Sequence, residues 1–306
     1  MRGPVVIAEL NGLILPEDFP LRRALPPIEE REVFAGCALD DDPPHGDYDR
    51  RTLFYAGLRE GRRRVRLIGP RLLNLGDAVR GARFAGPDGP LSIARIVTSR
   101  RYDEVILKAR AALPRTAFPL TVTLDGEAFT LTVDPDEPGQ FAGRRVLVAI
   151  SKDNRPEWIR DWIRWHRVHH GCDGVVLIDN GSTAYTPEAL AARLAAEEPD
   201  VAVRIVSAPF PYGTGHRLGW RTEYLQSAMI AFCTRRFLRR AAAILSVDID
   251  ELVLPQGGRS VFAEIGSTLG GYVKLHGNWV LAEPREGHDF RHADHVYARP
   301  GDPAGL

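Results

Sequence analysis

The hydrophobic rhythm of the chain changes part-way along. Up to about residue 142 the apolar runs are short, at 5–7, 65–68, 93–97 and 120–124. Residues 129–133, Phe-Thr-Leu-Thr-Val, alternate with period two, as a half-buried strand does. Turn signals such as Asp88-Gly89-Pro90 and Asp125-Gly126 separate these runs. The pattern predicts a small β-rich domain over residues 1–142, closed by a linker at 134–139 that carries two prolines and a glycine. No catalytic constellation stands out within it.

From Arg144 onward the runs lengthen and alternate in type. Residues 146–150 form a continuous apolar strand, and 155–170 read as a helix whose Trp158, Ile159, Trp162 and Ile163 recur at helical spacing. Asp153 or Asn154 is the expected cap, with Pro156 in the first turn. Strands follow at 174–178, 201–206 and 242–247, with helices at 187–196 and 220–240. Alternating buried strands and helices predict a mostly parallel α/β sheet over residues 143–306, whose ligands sit beyond the carboxyl ends of the strands.

The polar residues fall at those ends. One strand delivers Ser151-Lys152-Asp153-Asn154, the next Asp179-Asn180-Gly181-Ser182-Thr183, and the last runs into Asp248-Ile249-Asp250-Glu251. Carboxylates repel one another and resist burial, so three acids ending an apolar strand call for a compensating cation. An Asp-x-Asp suits a hard divalent ion, Mn²⁺ or Mg²⁺, whose remaining positions are filled by water or phosphate oxygens. The bland reading is a strand that ends in a solvated acidic turn.

Composition narrows the classes. Forty basic and forty acidic residues in 306 leave no global field for nucleic acid or an anionic membrane. Local patches remain, chiefly Arg62-Arg63-Arg64 and the arginines at 235, 236, 239 and 240, which read first as solvated faces. Cys37, Cys172 and Cys233 are far apart, which argues against a disulfide framework or a thiolate zinc site. No run approaches the roughly 18 apolar residues of a transmembrane helix, and the N-terminus is a poor signal peptide. The expectation is a cytoplasmic protein, at most peripheral to a membrane.

Taken in order, residues 152–166, Ile178-Asp179-Asn180-Gly181-Ser182-Thr183 and Val247-Asp248-Ile249-Asp250-Glu251-Leu252 resemble family-2-type glycosyltransferases, in the branch related to family 92. The resemblance spans about residues 144–280. It implies a GT-A-like fold, a nucleotide-sugar donor and a glycan or other hydroxyl acceptor, with a role in bacterial surface-polysaccharide synthesis. Position by position, it implies metal and diphosphate binding by Asp248 and Asp250, and nucleotide contacts by Asp179, Asn180 and Asn154, with Ser182 donating to oxygens. Arg155, Asp161 and Ala184 depart from the family's Glu, Glu and Asp, and the first of these loosens the nucleobase assignment.

The general base stays open. Glu251, beside the presumed catalytic Asp250, is nearest in sequence, and His276, Asp289, His292 and His295 are alternatives. His166 and His170, four apart, have zinc-compatible spacing but read better as structural residues on an apolar face. The loop 212–217 lacks the Lys-Ser/Thr ending of a P-loop, although His216, Arg217 or Arg221 could meet phosphate. A phosphatase of the haloacid-dehalogenase type would also place Asp-x-Asp after a strand, but too little chain follows it here. A degenerate, non-catalytic transferase domain that binds a nucleotide or glycan is the other reading. The final residues, without a terminal helix, suggest truncation or a loose tail.

Overall fold

The computed structural model describes residues 5–27, 48–213, 223–255, 257–282 and 290–303. In chain order the first elements are β1 (Val5–Glu9), β2 (Leu13–Ile14), β3 (Thr52–Phe54), β4 (Ala56–Glu60), β5 (Arg64–Gly69), α1 (Leu75–Gly81), β6 (Arg83–Gly86), β7 (Gly89–Thr98), β8 (Asp103–Ala109), β9 (Phe118–Leu124) and β10 (Glu127–Asp134). There follow β11 (Arg145–Ser151), α2 (Pro156–His170), β12 (Gly174–Asp179), α3 (Pro187–Glu197), β13 (Ala202–Ser207), α4 (Tyr224–Arg236), β14 (Ala243–Ser246), α5 (Val261–Gly266), β15 (Asn278–Ala282) and β16 (His295–Pro303). Two compact units divide them. One holds the described parts of Met1–Ala8, Gln140–Val206 and Arg240–Leu306; the other holds those of Glu9–Gly139 and Ser207–Arg239.

The second unit is a closed barrel of seven strands in the order β10-β4-β5-β8-β7-β6-β9. All its pairings are antiparallel except β10 with β4, which closes the ring in parallel. The period-two pattern sets the inner face: Phe118, Leu120, Val122 and Leu124 of β9 are all buried, as are Leu131 and Val133 of β10. Asp125 (φ 50°) and Gly126 (φ 86°) turn β9 into β10, the two positive φ values that a two-residue hairpin turn requires. Helix α4 packs on β4 and β5 of this unit. Arg23, fully buried, donates to the carbonyls of Arg71 (2.6 Å), Asp49 and Thr52 and pairs with the Asp49 carboxylate.

The first unit is built on a five-stranded sheet, β1-β13-β12-β11-β14, in which β11 runs parallel to both β12 and β14. Its core joins Leu147, Ala149, Val175, Leu177, Val203 and Ile205 to Ile159, Trp162 and Ile163 of α2 and to Leu190 and Leu194 of α3. Gly171, at φ 69°, ends α2 in the left-handed conformation that glycine adopts at low cost.

The sequence predicts a GT-A-like α/β fold, a mostly parallel sheet flanked by helices and preceded by a smaller β-rich domain. The structure overturns that fold class. Sixteen strands stand against five α-helices among the described residues, and the largest sheet is the closed barrel. The stretch β11-α2-β12-α3-β13 does follow strand–helix alternation, but the chain then enters the barrel unit. The helix expected to flank the sheet, α4, belongs there. The edge of the sheet is instead completed by β1, from the far N-terminus. Short apolar runs report that strands exist, but not that seven of them close on themselves.

Candidate functional site

Three parallel strands of the first unit end on the same side of the sheet. In β11 and β12 the registered partners end with Ser151 opposite Asp179, and β14 pairs Ser246 with Val148. Beyond Ser246 the chain leaves the ladder and runs through Val247 into the turn at 248–251. The parallel arrangement therefore gathers Ser151, Asp179 and the acidic turn at one edge of the sheet, where open parallel sheets bind ligands.

Ser151 and Asp179 are buried, and Asn180 is nearly so; its N–H donates to the Ser151 carbonyl at 2.8 Å. The Asp179 carboxylate accepts from the Ser182 hydroxyl at 2.6 Å and from the Ser182 N–H at 3.2 Å, which closes an Asx-type turn around Gly181 (φ 71°). Asn154 donates through Nδ2 to Ser151 Oγ at 3.1 Å. Ser151 thus joins Asn154 and Asn180, while Asp179 and Ser182 bond each other.

The expected cap of α2 is different in the structure. The N-cap is Arg155, with no side-chain hydrogen bond. Asp153, held at φ 53°, turns its carboxylate to the N–H groups of Thr183 (2.6 Å) and Ala184 (2.9 Å), while its own N–H donates to Ser182 Oγ at 2.9 Å. Those amide donors hold the Asp153 carboxyl below the usual range. Asp153 therefore latches the first strand-end loop to the second. Sequence reasoning assigned this residue to the helix, and it overlooked Tyr185, whose buried hydroxyl faces the hydroxyls of Ser151 and Ser182. Burial pushes the Tyr185 phenol up.

In the acidic turn Val247 and Ile249 are buried, whereas Asp248, Asp250 and Glu251 are exposed. The Glu251 N–H donates to the Asp248 carbonyl at 3.0 Å, and the Glu251 carboxylate accepts from the Asp248 N–H at 2.9 Å. One oxygen of Glu251 is thereby committed to the turn. Among the described residues no group of three or more His, Cys, Asp or Glu side chains forms a ready metal cage.

Ring nitrogens on α2 anchor the segment after the turn. Val253 donates its N–H to His166 Nε2 (3.3 Å), and its carbonyl lies 2.9 Å from His170 Nε2 and accepts from Trp165 Nε1 at 2.8 Å. His166 Nδ1 faces the Trp162 carbonyl at 2.9 Å, and Val261 donates its N–H to His170 Nδ1 at 3.1 Å. Each ring takes one backbone donor and one backbone acceptor, so each is satisfied as a neutral imidazole, in opposite tautomers. Burial lowers His166 to about 4. This pair tethers a loop to a helix, and its spacing has no need of zinc.

The other histidines separate. His292 Nε2 lies 2.7 Å from the Ile249 carbonyl, within the acidic turn, and its Nδ1 is buried without a partner. Trp158 Nε1 donates to the Phe290 carbonyl at 2.8 Å, and Arg291 pairs with Asp161, so the segment around His292 is fastened to α2. His295 is exposed, with Nδ1 3.0 Å from the Arg291 carbonyl, and His276 is exposed. Asp289, His216, Arg217 and Arg221 lie outside the described residues. Cys172 and Cys233 are buried and form no disulfide among the described residues, and Cys37 lies outside the described residues. No helix of the described residues is long and apolar enough to cross a membrane. No protein-family model matches the chain, and no curated protein matches it at a significant level.

Proposed function

We propose that the protein is a divalent-metal-dependent glycosyltransferase that moves a sugar from a nucleotide-sugar donor to a glycan or other hydroxyl acceptor. One observation carries the reading: the parallel strands β11, β12 and β14 lead the Ser151, Asp179 and Ser182 segments and the exposed acids of the 248–251 turn out at the same end of the sheet. The ordered resemblance of those segments to family-2-type transferases is its other support.

In this reading Asp179, Asn180, Ser182 and Asn154 receive the nucleoside. The exposed carboxylates of Asp248 and Asp250 receive Mn²⁺ or Mg²⁺. Such an ion needs only one or two protein carboxylates when substrate phosphates and water complete its shell, so the lack of a larger cage among the described residues fits. The metal supplies Lewis-acid stabilisation of the departing diphosphate. The chain's own part is to hold the acids in a turn locked by Glu251 and by the α2 rings, so that they need little reorganisation as charge develops. In this reading the free oxygen of Glu251 accepts the acceptor hydroxyl's proton.

The test is a thermal-shift panel of nucleoside diphosphates with and without Mn²⁺, followed by measurement of diphosphate release from the matching nucleotide sugar. Ligand that binds the folded state raises its melting temperature. A Mn²⁺-dependent shift that Asp248→Ala abolishes, together with turnover, is the expected result. A shift without turnover means a non-catalytic nucleotide-binding module. No shift with any diphosphate removes the reading.

A further inference from the structure

The barrel unit carries an uncompensated block of positive charge at one end. The ladders place four segments there. The β4–β5 turn bears Arg62 and Arg63, β5 starts at Arg64 opposite Lys108 near the end of β8, and β9 starts at Phe118 opposite Val133 near the end of β10. Backbone hydrogen bonds tie the cationic segments together: Ala109 N–H to the Arg63 carbonyl at 2.9 Å, and Leu113 N–H to the Arg62 carbonyl at 2.8 Å. Arg62, Arg63, Arg64, Lys108, Arg110 and Arg115 are all exposed.

The acids at this end are already engaged. Glu60 pairs with Arg66, Asp136 with Arg59 and Arg239, and Asp134 and Glu137 with Arg236. Asp88, in the β6–β7 turn, is exposed and has no ion pair among the described residues. The six exposed cations likewise have no carboxylate partner among the described residues. Six positive charges thus face solvent against one loose negative charge, on a chain whose net charge is zero. A shallow cavity of about 430 Å³ opens among them, lined by Glu60, Gly61, Arg62, Arg63 and Arg64.

We propose that this end of the barrel docks on the phosphate headgroups of an anionic lipid surface. The cations sit on turn tips from separate segments rather than along a groove, which suits a plane of phosphates. No aromatic residue stands among Glu60–Arg64 or in 108–115, so the stacking platform of single-stranded nucleic-acid binding is lacking. No exposed large apolar side chain accompanies the patch either, so attachment is electrostatic, reversible and weakened by salt. The proposal concerns the barrel unit alone and stands apart from the transferase reading.

Sedimentation of the full chain with phosphatidylcholine vesicles, and with vesicles that also contain phosphatidylglycerol, tests it. Binding is expected only to the anionic vesicles and is lost as ionic strength rises. Each basic side chain near such a surface contributes a factor of about five, so Arg62→Glu/Arg63→Glu lowers partitioning by at least about a hundredfold. The charge-matched control Arg80→Glu/Arg83→Glu, on α1 and β6, should bind nearly as wild type. All four positions are exposed, and unchanged melting temperatures verify that both variants fold. Equal losses in the two variants, no preference for anionic vesicles, or tighter binding to a single-stranded oligonucleotide that the patch variant alone loses would each overturn the proposal.

Discussion

Replacing His166 with glutamine removes the one ring that both caps the Val253 N–H and contacts the Trp162 carbonyl. The native ring must stay neutral, because protonated Nε2 would meet the Val253 N–H donor to donor. Burial is the largest influence holding its pKa at about 4 rather than 6.5, and nearby His170, His292 and His169 add to it when charged. The Trp162 carbonyl pulls the other way. Because the folded pKa lies below the unfolded one, the unfolded chain binds more protons between these values, and stability falls as pH drops through that window. Nothing is lost above pH 6.5. About 2 kcal/mol is lost by pH 5, rising to about 3 kcal/mol below pH 4, where both states are protonated.

The assay is urea unfolding of the wild type and of His166→Gln at pH 7, 6 and 5, since carboxylates elsewhere titrate equally in both and cancel. At pH 7 the variant is expected to be about 1–3 kcal/mol less stable, the cost of an unsatisfied buried N–H and imperfect packing. That deficit should shrink by about 2 kcal/mol on going to pH 5, because only the wild type carries the imidazole. A deficit that stays constant with pH would refute the neutral-anchor argument. A deficit that grows toward acid would mean that His166 is charged in the folded protein.

Asp179→Asn keeps one acceptor where two are used by the Ser182 hydroxyl and N–H. It should cost about 1–2 kcal/mol in chemical denaturation and reduce any diphosphate-induced thermal shift. Arg23→Met strips the buried Asp49 carboxylate of its cation and leaves three carbonyls without their donor, so a loss of about 3–5 kcal/mol is expected by the same measurement. Gly69→Ala forces a methyl group against the Leu53 carbonyl oxygen and Phe54 Cα, both backbone atoms, and should destabilise by about 2 kcal/mol or more. Burial pushes the Cys172 thiol up to about 12, so peptide-level mass spectrometry should find it far slower to alkylate at neutral pH in the native protein than in urea.

How much of this was legible depended on the range over which each interaction acts. Helix α2 and strands β11, β12 and β13 were readable because their signals, helical spacing and continuous apolar runs, lie within a few residues. Barrel closure was not, because it rests on pairing β10 with β4, about 75 residues away, and nothing local encodes that partner. The same holds for the histidines. Spacing of four puts His166 and His170 on one helix face, but their purpose is set by Val253 and Val261, 87 and 91 residues onward.

At the candidate site the sequence singled out these segments but misread how they are held together. An Asp before a helix looks like a cap because capping is the commonest local use of such a residue. Asp153 instead satisfies two amides of the neighbouring strand-end loop, and it does so from a left-handed backbone conformation that costs about 1 kcal/mol or more outside glycine. That strain is offset by joining the loops after β11 and β12, which otherwise share only the contacts at the ends of their strands. The acidic turn is fixed by equivalent means, from Glu251 within and from the α2 rings behind it. Apart from Glu251, the proposed base, the side chains that pin the two polar clusters take no part in the proposed chemistry, and releasing the Asp153 latch or the α2 rings should weaken ligand binding without removing any ligand contact.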